Sequence, residues 1–378
     1  MMIFNKERIK FKSIPITNKD NNFKKSKPKI VISNIINKYF FIIIFLILLT
    51  IYFIILKQNK KNENNLKTDN DKNKLKIYES EDKEFNEDKK QEYYNHQKFF
   101  CKNKDTFYNN LFEEKMELVN AIFDNISFDM FVYKKNDGVS NDILKYKVWE
   151  KDETTSILLS LNYYSKRKNI SKKDIFILDV GANIGWYSLI LGKNGFNIIS
   201  FEPSKINYYI LLKNYCLNKD INVTIINEGL DNELTNCTIY HPSDNIGDAI
   251  IFTNLQNINI NKYIKEEIKL NKLANYITYL NNKNLALIKL DIEGSELKAL
   301  ESGYDLISKY HIPFIFLEWS QNLLQKRGTD PKTFLEILEN NGYKFSIKDF
   351  LSQQYCSINE LIKIKKGNIY VVYSKFLE

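Results

Sequence analysis

Cysteine is scarce in this chain, and so are histidine, proline and glycine. The 378 residues include 4 cysteines, 3 histidines, 6 prolines and 12 glycines. No two cysteines form a CxxC pair, which argues against a zinc site, and four are too few for a disulfide scaffold at this length. Cys101, Cys216, Cys237 and Cys356 are therefore ordinary thiols or, in an oxidising compartment, partners in one or two disulfides.

The positive charge is concentrated at the N-terminus. The formal net charge is +9, and the first 38 residues carry ten Lys and Arg against Glu7 and Asp20. The rest of the chain is nearly balanced, and no interleaving of aromatic and Arg residues marks a nucleic-acid-binding face. We therefore expect no nucleic-acid partner, and a basic tail beside an apolar segment favours an anionic membrane surface.

A long apolar run occurs once, over residues 39–56, and it contains no charge. A helix of this length spans about 27 Å, which is close to the hydrocarbon thickness of a bilayer. The run is too long and too far from the N-terminus for a cleaved signal peptide, and no small-residue cleavage site follows it. The sequence therefore predicts one N-terminal transmembrane helix, an uncleaved signal-anchor.

The orientation of this anchor is predicted from the basic N-terminal tail as a whole. Lysines are similarly frequent close to both ends, so the positive-inside rule does not decide at short range. Because the whole tail is short and basic, we expect it in the cytosol and the large domain in the lumen. The sequence therefore predicts a single-pass type II membrane protein of the Golgi or endoplasmic reticulum. Four Asn-x-Ser/Thr sequons suit a luminal domain, but about four or five arise by chance at this composition.

The chain divides by composition into four parts. Residues 1–38 are the basic tail and 39–56 the transmembrane helix. Residues 57–105 are polar and predict a disordered stem, because such a stretch cannot bury enough apolar surface to order itself. Residues 106–378 predict the folded domain, with a helical lead-in over 106–170, in which Ser140 caps a helix, and a core over 171–378.

The core alternates apolar strands with amphipathic helices, which predicts a mostly parallel sheet covered on both faces. The last two strands have no helix between them, which indicates an antiparallel closing strand in a seven-stranded α/β sheet. Segment 235–252 predicts a hairpin or irregular insertion, and 260–280 a mostly helical segment. Predicted strands are 175–178, 197–201, 223–226, 285–290, 313–317, 343–347 and 369–373, and predicted helices include 186–193, 206–217, 296–302 and 330–340.

The strongest chemical signal is the segment DVGANIG, in which a buried strand ends at Asp179 and a glycine-rich turn enters a helix. Gly181, Asn183 and Gly185 lie in that turn, where glycines let the backbone pass close to a ligand. A dinucleotide site needs helix-terminal amides aimed at a pyrophosphate. An acid at the turn repels phosphate and suits the amino group and sulfonium of S-adenosylmethionine.

Two further acids follow later strands. Glu202, in the segment ISFEP, lies 23 residues beyond Asp179, where an acid can accept hydrogen bonds from both ribose hydroxyls of a nucleoside. Asp291, in the segment LDIEG, ends the fourth predicted strand at the carboxyl edge, where open α/β sheets bind ligands. Glu293 lies two residues on and shares its face in extended chain.

These segments together resemble the FkbM-type methyltransferases, a branch of the Rossmann-like class I enzymes that use S-adenosylmethionine. The matching pieces are DVGANIGWYSL, ISFEP and IKLDIEGSELKALESG, within residues 128–320. The resemblance implies that Asp291 lies beside the methyl donor and acceptor, and that Glu228 lies near the adenine. It implies S-adenosyl-L-methionine as cofactor, with cofactor-binding residues Asp179, Gly181, Asn183, Gly185, Glu202 and Glu228.

Family members typically methylate hydroxyl groups of sugars or other acceptors. Such a transfer needs the acceptor held in line and usually a general base. Asp291 is the first candidate for that base, and Glu318, at the end of the fifth strand, is the second. With Glu293 these acids offer hard oxygen ligands for Mg²⁺, but we expect no metal, because acids here can cap the following helix instead. His241, in the insertion, is either a base or a surface histidine.

The leading hypothesis is a membrane-anchored O-methyltransferase acting on a hydroxyl of a glycan or related acceptor. One alternative is a methyltransferase that faces the cytosol and modifies a lipid or small metabolite. Another is a non-catalytic, membrane-tethered module that keeps the fold and only binds cofactor or a partner.

Overall fold

The computed structural model describes residues 84–103, 114–243, 245, 247, 249–251, 259–281 and 283–378. The predicted basic tail, the predicted transmembrane helix over 39–56 and most of the predicted stem lie outside the described residues. Within the described ranges, no helix is both long enough and apolar enough to span a bilayer.

The described chain is built from short strands and helices. The strands are β1 (Met116–Phe123), β2 (Ile126–Tyr133), β3 (Ile175–Val180), β4 (Asn197–Phe201), β5 (Asn222–Ile226), β6 (Gly229–Leu230), β7 (Thr235–Pro242), β8 (Tyr263–Asn271), β9 (Asn284–Leu290), β10 (Phe314–Ser320), β11 (Tyr343–Ser346) and β12 (Lys366–Tyr373). The helices are α1 (Glu87–Lys102), α2 (Gly138–Tyr146), α3 (Lys151–Lys168), α4 (Trp186–Lys193), α5 (Lys205–Leu217), α6 (Ala274–Asn281), α7 (Glu296–Ser302), α8 (Asp305–Ser308), α9 (Gln321–Lys326), α10 (Pro331–Asn340), α11 (Ile358–Leu361) and α12 (Ser374–Leu377).

The main sheet has seven strands in the order β11-β12-β10-β9-β3-β4-β5. Strands β10, β9, β3, β4 and β5 pair in parallel, whereas β12 runs antiparallel to both of its neighbours. The predicted mostly parallel α/β sheet is therefore confirmed. The antiparallel strand lies between β10 and β11 rather than at the edge, so the last hairpin is inserted into the sheet.

The central strands are apolar throughout because helices cover both of their faces. All six residues of β3 are buried. Ile175 and Ile177 pack in one apolar cluster with α3, α4, α5 and the β1–β2 hairpin. Leu178 and Val180 pack in a second cluster with α6, α7 and α10. This alternation follows from the two-residue period of a strand, which sends successive side chains to opposite faces.

The helical lead-in differs from the prediction. Residues 116–123 form β1, which pairs with β2 in an antiparallel hairpin, so their apolar spacing belongs to a strand. Asp137, not Ser140, caps α2, because its Oδ2 accepts a hydrogen bond of 2.7 Å from the Ser140 N–H. The helix predicted to begin near Ser140 is interrupted, and the structure has two helices there, α2 and α3.

The segment between the third and fourth main-sheet strands also differs. Residues 263–271 form β8 rather than helix, and β8 pairs antiparallel with β7. Together with β6 they make a separate three-stranded sheet. Only the end of the predicted helix, α6, is helical. The polar residues of β8 are those of a half-buried strand. Scoring the apolar residues for helical spacing over the whole of 260–280 hides this strand pattern.

Residues 87–102, assigned to a disordered stem, form helix α1, so the stem prediction is wrong there. The helix covers the open edge of β5. The Gln97 side chain donates to Val223 O (2.9 Å) and accepts from Ile225 N–H (3.0 Å), as a neighbouring strand would. Cys101 forms a disulfide with Cys216 on α5. The folded domain therefore begins about twenty residues earlier than its predicted boundary at 106.

Candidate functional site

A cavity of about 300 Å³ opens at the carboxyl ends of the parallel strands. This is the edge where open α/β sheets bind ligands, because the strand-to-helix loops converge there. Its walls come from the loops after β3, β4, β9 and β10, from the α2–α3 connection and from the insertion around β7 and β8. The predicted insertion and lead-in therefore both contribute to this cavity.

The glycine-rich turn after β3 forms one wall. Gly181 has φ +80°, and a Cβ there would lie 1.9 Å from the Asp291 carbonyl oxygen, so no side chain fits. The Gly181 N–H donates to Phe201 O, which ties the turn to β4. Gly185, at φ +100°, instead lets Leu211 of α5 pack close to the turn. Gly181 lines the cavity as predicted, and Gly185 does not.

Asp179 lies behind this wall rather than in it. Its Oδ2 accepts a hydrogen bond of 2.6 Å from the Ser188 hydroxyl, and its Oδ1 lies 3.6 Å from Lys289 Nζ. The side chain is buried and is not among the residues lining the cavity. Asp179 therefore holds helix α4 and Lys289 in place, and the predicted direct cofactor contact does not follow from the geometry.

Glu202 lines the cavity at the carboxyl end of β4. Its Oε2 accepts from Asn183 N–H (2.8 Å) and its Oε1 from Ser204 N–H (2.9 Å). Burial opposes ionisation and raises the pKa of Glu202 to about 7, although these hydrogen bonds favour the carboxylate. The acid is thus fixed in orientation at the position predicted for ribose recognition.

Glu228 does not line the cavity. Its Oε2 accepts from Asn271 Nδ2 (2.7 Å) and from the Tyr276 hydroxyl (2.9 Å), so the carboxylate is part of a buried structural network. The following residues, Gly229 and Leu230, reach the cavity instead. The predicted segment therefore reaches the cavity, but the Glu228 side chain does not.

The residues present fit S-adenosylmethionine. Asn183 Oδ1 is buried at the cavity wall and accepts no hydrogen bond from the described residues, so it can receive one from an amino group. Glu202 offers a carboxylate to ribose hydroxyls, and Gly181 lets the turn at the cavity wall pack against the Asp291 carbonyl. Leu230 and Leu270 add an apolar wall that suits a planar base.

The opposite end of the cavity is rich in charge. Asp291 and Glu318 line it, and Lys289 Nζ lies 3.3 Å from Asp291 Oδ2. Lys366 Nζ lies 3.1 Å from Glu318 Oε1. Both predicted catalytic acids therefore line the same cavity as Gly181, Asn183 and Glu202. The two acids are within hydrogen-bonding contact of each other.

The two acids have opposite protonation states at neutral pH. Burial opposes ionisation of Asp291, but attraction to Lys289 and a hydrogen bond from Glu318 outweigh it and hold its pKa below the ordinary value. Burial, followed by repulsion from Asp291 and Glu293, raises the pKa of Glu318 to about 9. Glu318 therefore carries the proton of the pair, and Asp291 is the carboxylate.

Asp291, Glu293 and Glu318 each place an oxygen within 4.8 Å of the others, as the metal hypothesis required. Two of these carboxyls already have ammonium partners, Lys289 and Lys366. The arrangement resembles a set of hard oxygen ligands, but the lysines supply the neutralising charge that a cation would otherwise provide. The expectation that no metal is needed stays a prediction.

Several lining residues were missed by sequence reasoning. Tyr187, whose hydroxyl donates a hydrogen bond of 2.6 Å to Glu150 Oε2, and Lys289 both line the cavity. Lys289 had a readable signal, since a lysine inside an otherwise apolar buried strand needs a charged partner. Asn207 and Lys366 had none. His241 is 1 % exposed, so the surface alternative is wrong, and it is not among the lining residues.

Comparison with protein families gives one match. Residues 179–345, just under half of the chain, match the family model described as "Methyltransferase FkbM domain". A comparison with curated protein sequences found no match.

Several solved structures resemble the chain. The crystal structure of WbdD, elsewhere described as a bifunctional kinase-methyltransferase, is 13 % identical, with a TM-score of 0.35 over 58 % of this chain and 39 % of its own. The tRNA (uracil-54, C5)-methyltransferase of Pyrococcus abyssi, in complex with S-adenosyl-L-homocysteine, is 10 % identical, with a TM-score of 0.32 over 68 % of this chain and 44 % of its own. A SAM-dependent methyltransferase from Agrobacterium tumefaciens is 6 % identical, with a TM-score of 0.35 over 68 % and 70 %.

The chain thus spans about two fifths of the length of the WbdD structure that it matches. At these TM-scores the likenesses carry no argument about activity. The family match covers the glycine-rich turn, Glu202, Asp291 and Glu318. Residues 179–345 are therefore similar to a methyltransferase FkbM domain, in agreement with the resemblance of the sequence motifs.

Proposed function

We propose that the protein is a membrane-anchored O-methyltransferase that methylates a hydroxyl group of a glycan or related acceptor. The observation that carries this proposal is the single cavity shared by the cofactor turn and the Asp291–Glu318 pair. One end suits a nucleoside cofactor, and the other offers an ionised carboxylate beside a protonated one. A hydroxyl bound between these two ends would face both a methyl donor and a base.

The proposed reaction requires two contributions from the protein, which are positioning of the acceptor hydroxyl and removal of its proton. S-adenosylmethionine, when bound, supplies an electrophilic methyl group. Asp291, ionised beside Lys289, would accept a hydrogen bond from the acceptor hydroxyl and take its proton as the oxygen–carbon bond forms and the sulfur–carbon bond breaks, which leaves S-adenosylhomocysteine. Glu318 would keep its proton and orient Asp291. Holding the acceptor beside the cofactor would convert a two-molecule encounter into a reaction at high effective concentration.

A carbohydrate acceptor is favoured by the lining of this end of the cavity. Trp149 offers an aromatic face on which a sugar ring can stack, and the surrounding carboxylates and ammonium groups can hydrogen-bond to hydroxyls. Glu150, beside Trp149, adds a carboxylate held by Tyr187. A polar pocket of this kind suits a ligand with many hydroxyl groups better than an acyl chain.

A luminal location is favoured by the disulfide between Cys101 and Cys216, because disulfides persist in the secretory pathway and are rare in the cytosol. We propose that the apolar run over 39–56 is the single-pass anchor and that the domain lies in the Golgi or endoplasmic reticulum. Asn125 and Asn169, in two of the sequons, are exposed and therefore accessible to glycosylation.

The test of activity is methyl transfer from radiolabelled S-adenosylmethionine by the full-length protein to separated glycan and lipid fractions of cell membranes. We expect label in the glycan fraction, and a loss of about a hundredfold or more for Asp291→Asn with cofactor binding retained. Label in the lipid fraction alone would overturn the glycan proposal. Cofactor binding without transfer to any fraction would favour a non-catalytic binding module.

The test of location is the glycosylation of the expressed full-length protein. A luminal domain is expected to lose apparent mass on endoglycosidase treatment, and Asn125→Gln or Asn169→Gln should remove part of that shift. A protein that is not glycosylated, and whose domain is digested by protease added to sealed microsomes, would overturn the luminal proposal and favour a domain facing the cytosol.

A further inference from the structure

A second pair of titratable side chains lies behind the cofactor end of the cavity, outside the family's sequence signals. Glu266 is on β8 and His241 on β7, and His241 Nε2 lies 3.2 Å from Glu266 Oε2. His241 is 1 % exposed and the Glu266 side chain 12 %. Neither residue is among those that line the cavity, so any effect on the ligand is exerted through a neighbour.

That neighbour is the turn that presents Glu202. Glu266 Oε2 accepts from the Ser204 hydroxyl (2.9 Å), and Glu266 Oε1 accepts from the Lys205 N–H (2.6 Å) at the first turn of α5. The Ser204 N–H in turn donates to Glu202 Oε1. One carboxylate of the small sheet therefore fastens the residues that fix the orientation of Glu202.

We infer that Glu266 and His241 are positioning residues for the cofactor, holding the turn that aims the Glu202 carboxylate at the ribose. This inference rests on the proposed use of S-adenosylmethionine by this site. Charge-assisted hydrogen bonds to a largely buried carboxylate such as Glu266 are strong and directional, so they suit such a role. The insertion would thus support the cofactor end of the site.

The same geometry couples cofactor binding to pH. Burial raises the pKa of Glu202 to about 7, the charge of His241 lowers it, and the charge of Glu266 raises it. Two other groups share this environment. Tyr133 has a pKa far above neutrality, and burial raises the pKa of Asp137. Because the ionised Glu202 accepts hydrogen bonds from the ribose, affinity should fall as pH falls through about 7.

The test is calorimetric titration of S-adenosylmethionine into the full-length protein between pH 5.5 and 9. His241 lowers the pKa of Glu202, so in His241→Gln the pH at which affinity falls should move upward. Glu266→Gln removes a negative charge, so that midpoint should move downward, while the lost hydrogen bonds weaken binding at pH 8 by about tenfold. Glu267→Gln is the matched control, because Glu267 is the exposed next residue on β8 and should change neither quantity.

The outcomes separate the inference from the proposed function. A wild-type protein that does not bind S-adenosylmethionine at any pH overturns the proposed cofactor use, and the inference with it. Wild-type binding with Glu266→Gln and His241→Gln both indistinguishable from Glu267→Gln overturns the inference alone. If Glu266→Gln fails to fold, Ser204→Ala removes one hydrogen bond of the same connection. Unchanged affinity and midpoint in that variant would also overturn the inference.

Discussion

The ammonium group of Lys289 lies 3.3 Å from Oδ2 of Asp291 at the carboxyl end of β9, and the Lys289 side chain is buried, whereas that of Asp291 is partly exposed. Lys289 also approaches Asp179 and donates to Gly181 O (3.0 Å), so one cation holds together the two strand ends that build the site. Burial alone would lower the pKa of Lys289, but the surrounding acids raise it, so the side chain stays charged.

Replacing Lys289 with Met should therefore destabilise the fold by about 3–5 kcal/mol, because it leaves buried carboxylates without a counter-charge. The free energy of unfolding in urea measures this effect. Lys366→Met is the control, since Lys366 also pairs with a cavity carboxyl but is 70 % exposed, and should cost less than about 1 kcal/mol. Equal losses for the two variants would contradict the buried-pair interpretation.

The proton on Glu318 predicts the alkaline limit of activity. Below about pH 9 Glu318 is neutral and donates to Asp291. As pH rises through that value Glu318 ionises, the pair becomes two like charges, and turnover should fall. Glu318→Gln keeps a neutral donor, so it should retain activity within about tenfold at pH 7.5 and lose the alkaline fall. A pH–rate profile of the labelled-methyl assay measures both, and an unchanged alkaline fall in Glu318→Gln would exclude Glu318 as its cause.

The disulfide predicts a large effect of reduction on stability. Cys101 and Cys216 are 115 residues apart, so their bond closes a long loop in the unfolded chain. Cys101→Ser should lower the free energy of unfolding by about 3 kcal/mol, and a reductant should lower it by a similar amount in the wild type. Cys237→Ser is the control, because Cys237 is a free cysteine. A wild-type melting temperature that does not respond to reductant would contradict this prediction.

Gln97 hydrogen-bonds to the edge of β5, so its replacement should affect stability and hydrogen exchange at that strand. Gln97→Leu keeps the volume of the side chain but leaves Val223 O and Ile225 N–H without their partner, at a cost of about 1–3 kcal/mol. Hydrogen exchange at the Ile225 amide should accelerate accordingly. Gln91→Leu, on the exposed side of α1, should leave both stability and exchange unchanged. Protection at Ile225 that survives Gln97→Leu would show that the helix alone shields this edge.

The sequence by itself determined the main sheet, the glycine-rich turn and the placement of Glu202 and Asp291. These features depend on local rules: continuous apolar strands, glycine where no Cβ fits, and acids at strand ends. Residues with a local reason, such as Gly181 and the helix 296–302, were therefore predicted closely.

Only the tertiary structure decided which of the predicted acids face the ligand. Asp179 turns to Ser188 and Lys289, and Glu228 turns to Asn271 and Tyr276, so neither carboxylate lines the cavity. Apart from Ser188, these partners are far away in sequence. Helix α1 reads as a solvated stem because most of its surface is polar, and its order comes from Gln97, Cys101 and the edge that it covers. The local sequence pattern determines where a residue lies on its strand or turn. The hydrogen-bond or ion-pair partner of its side chain depends on segments that are distant in sequence and meet only in the folded chain.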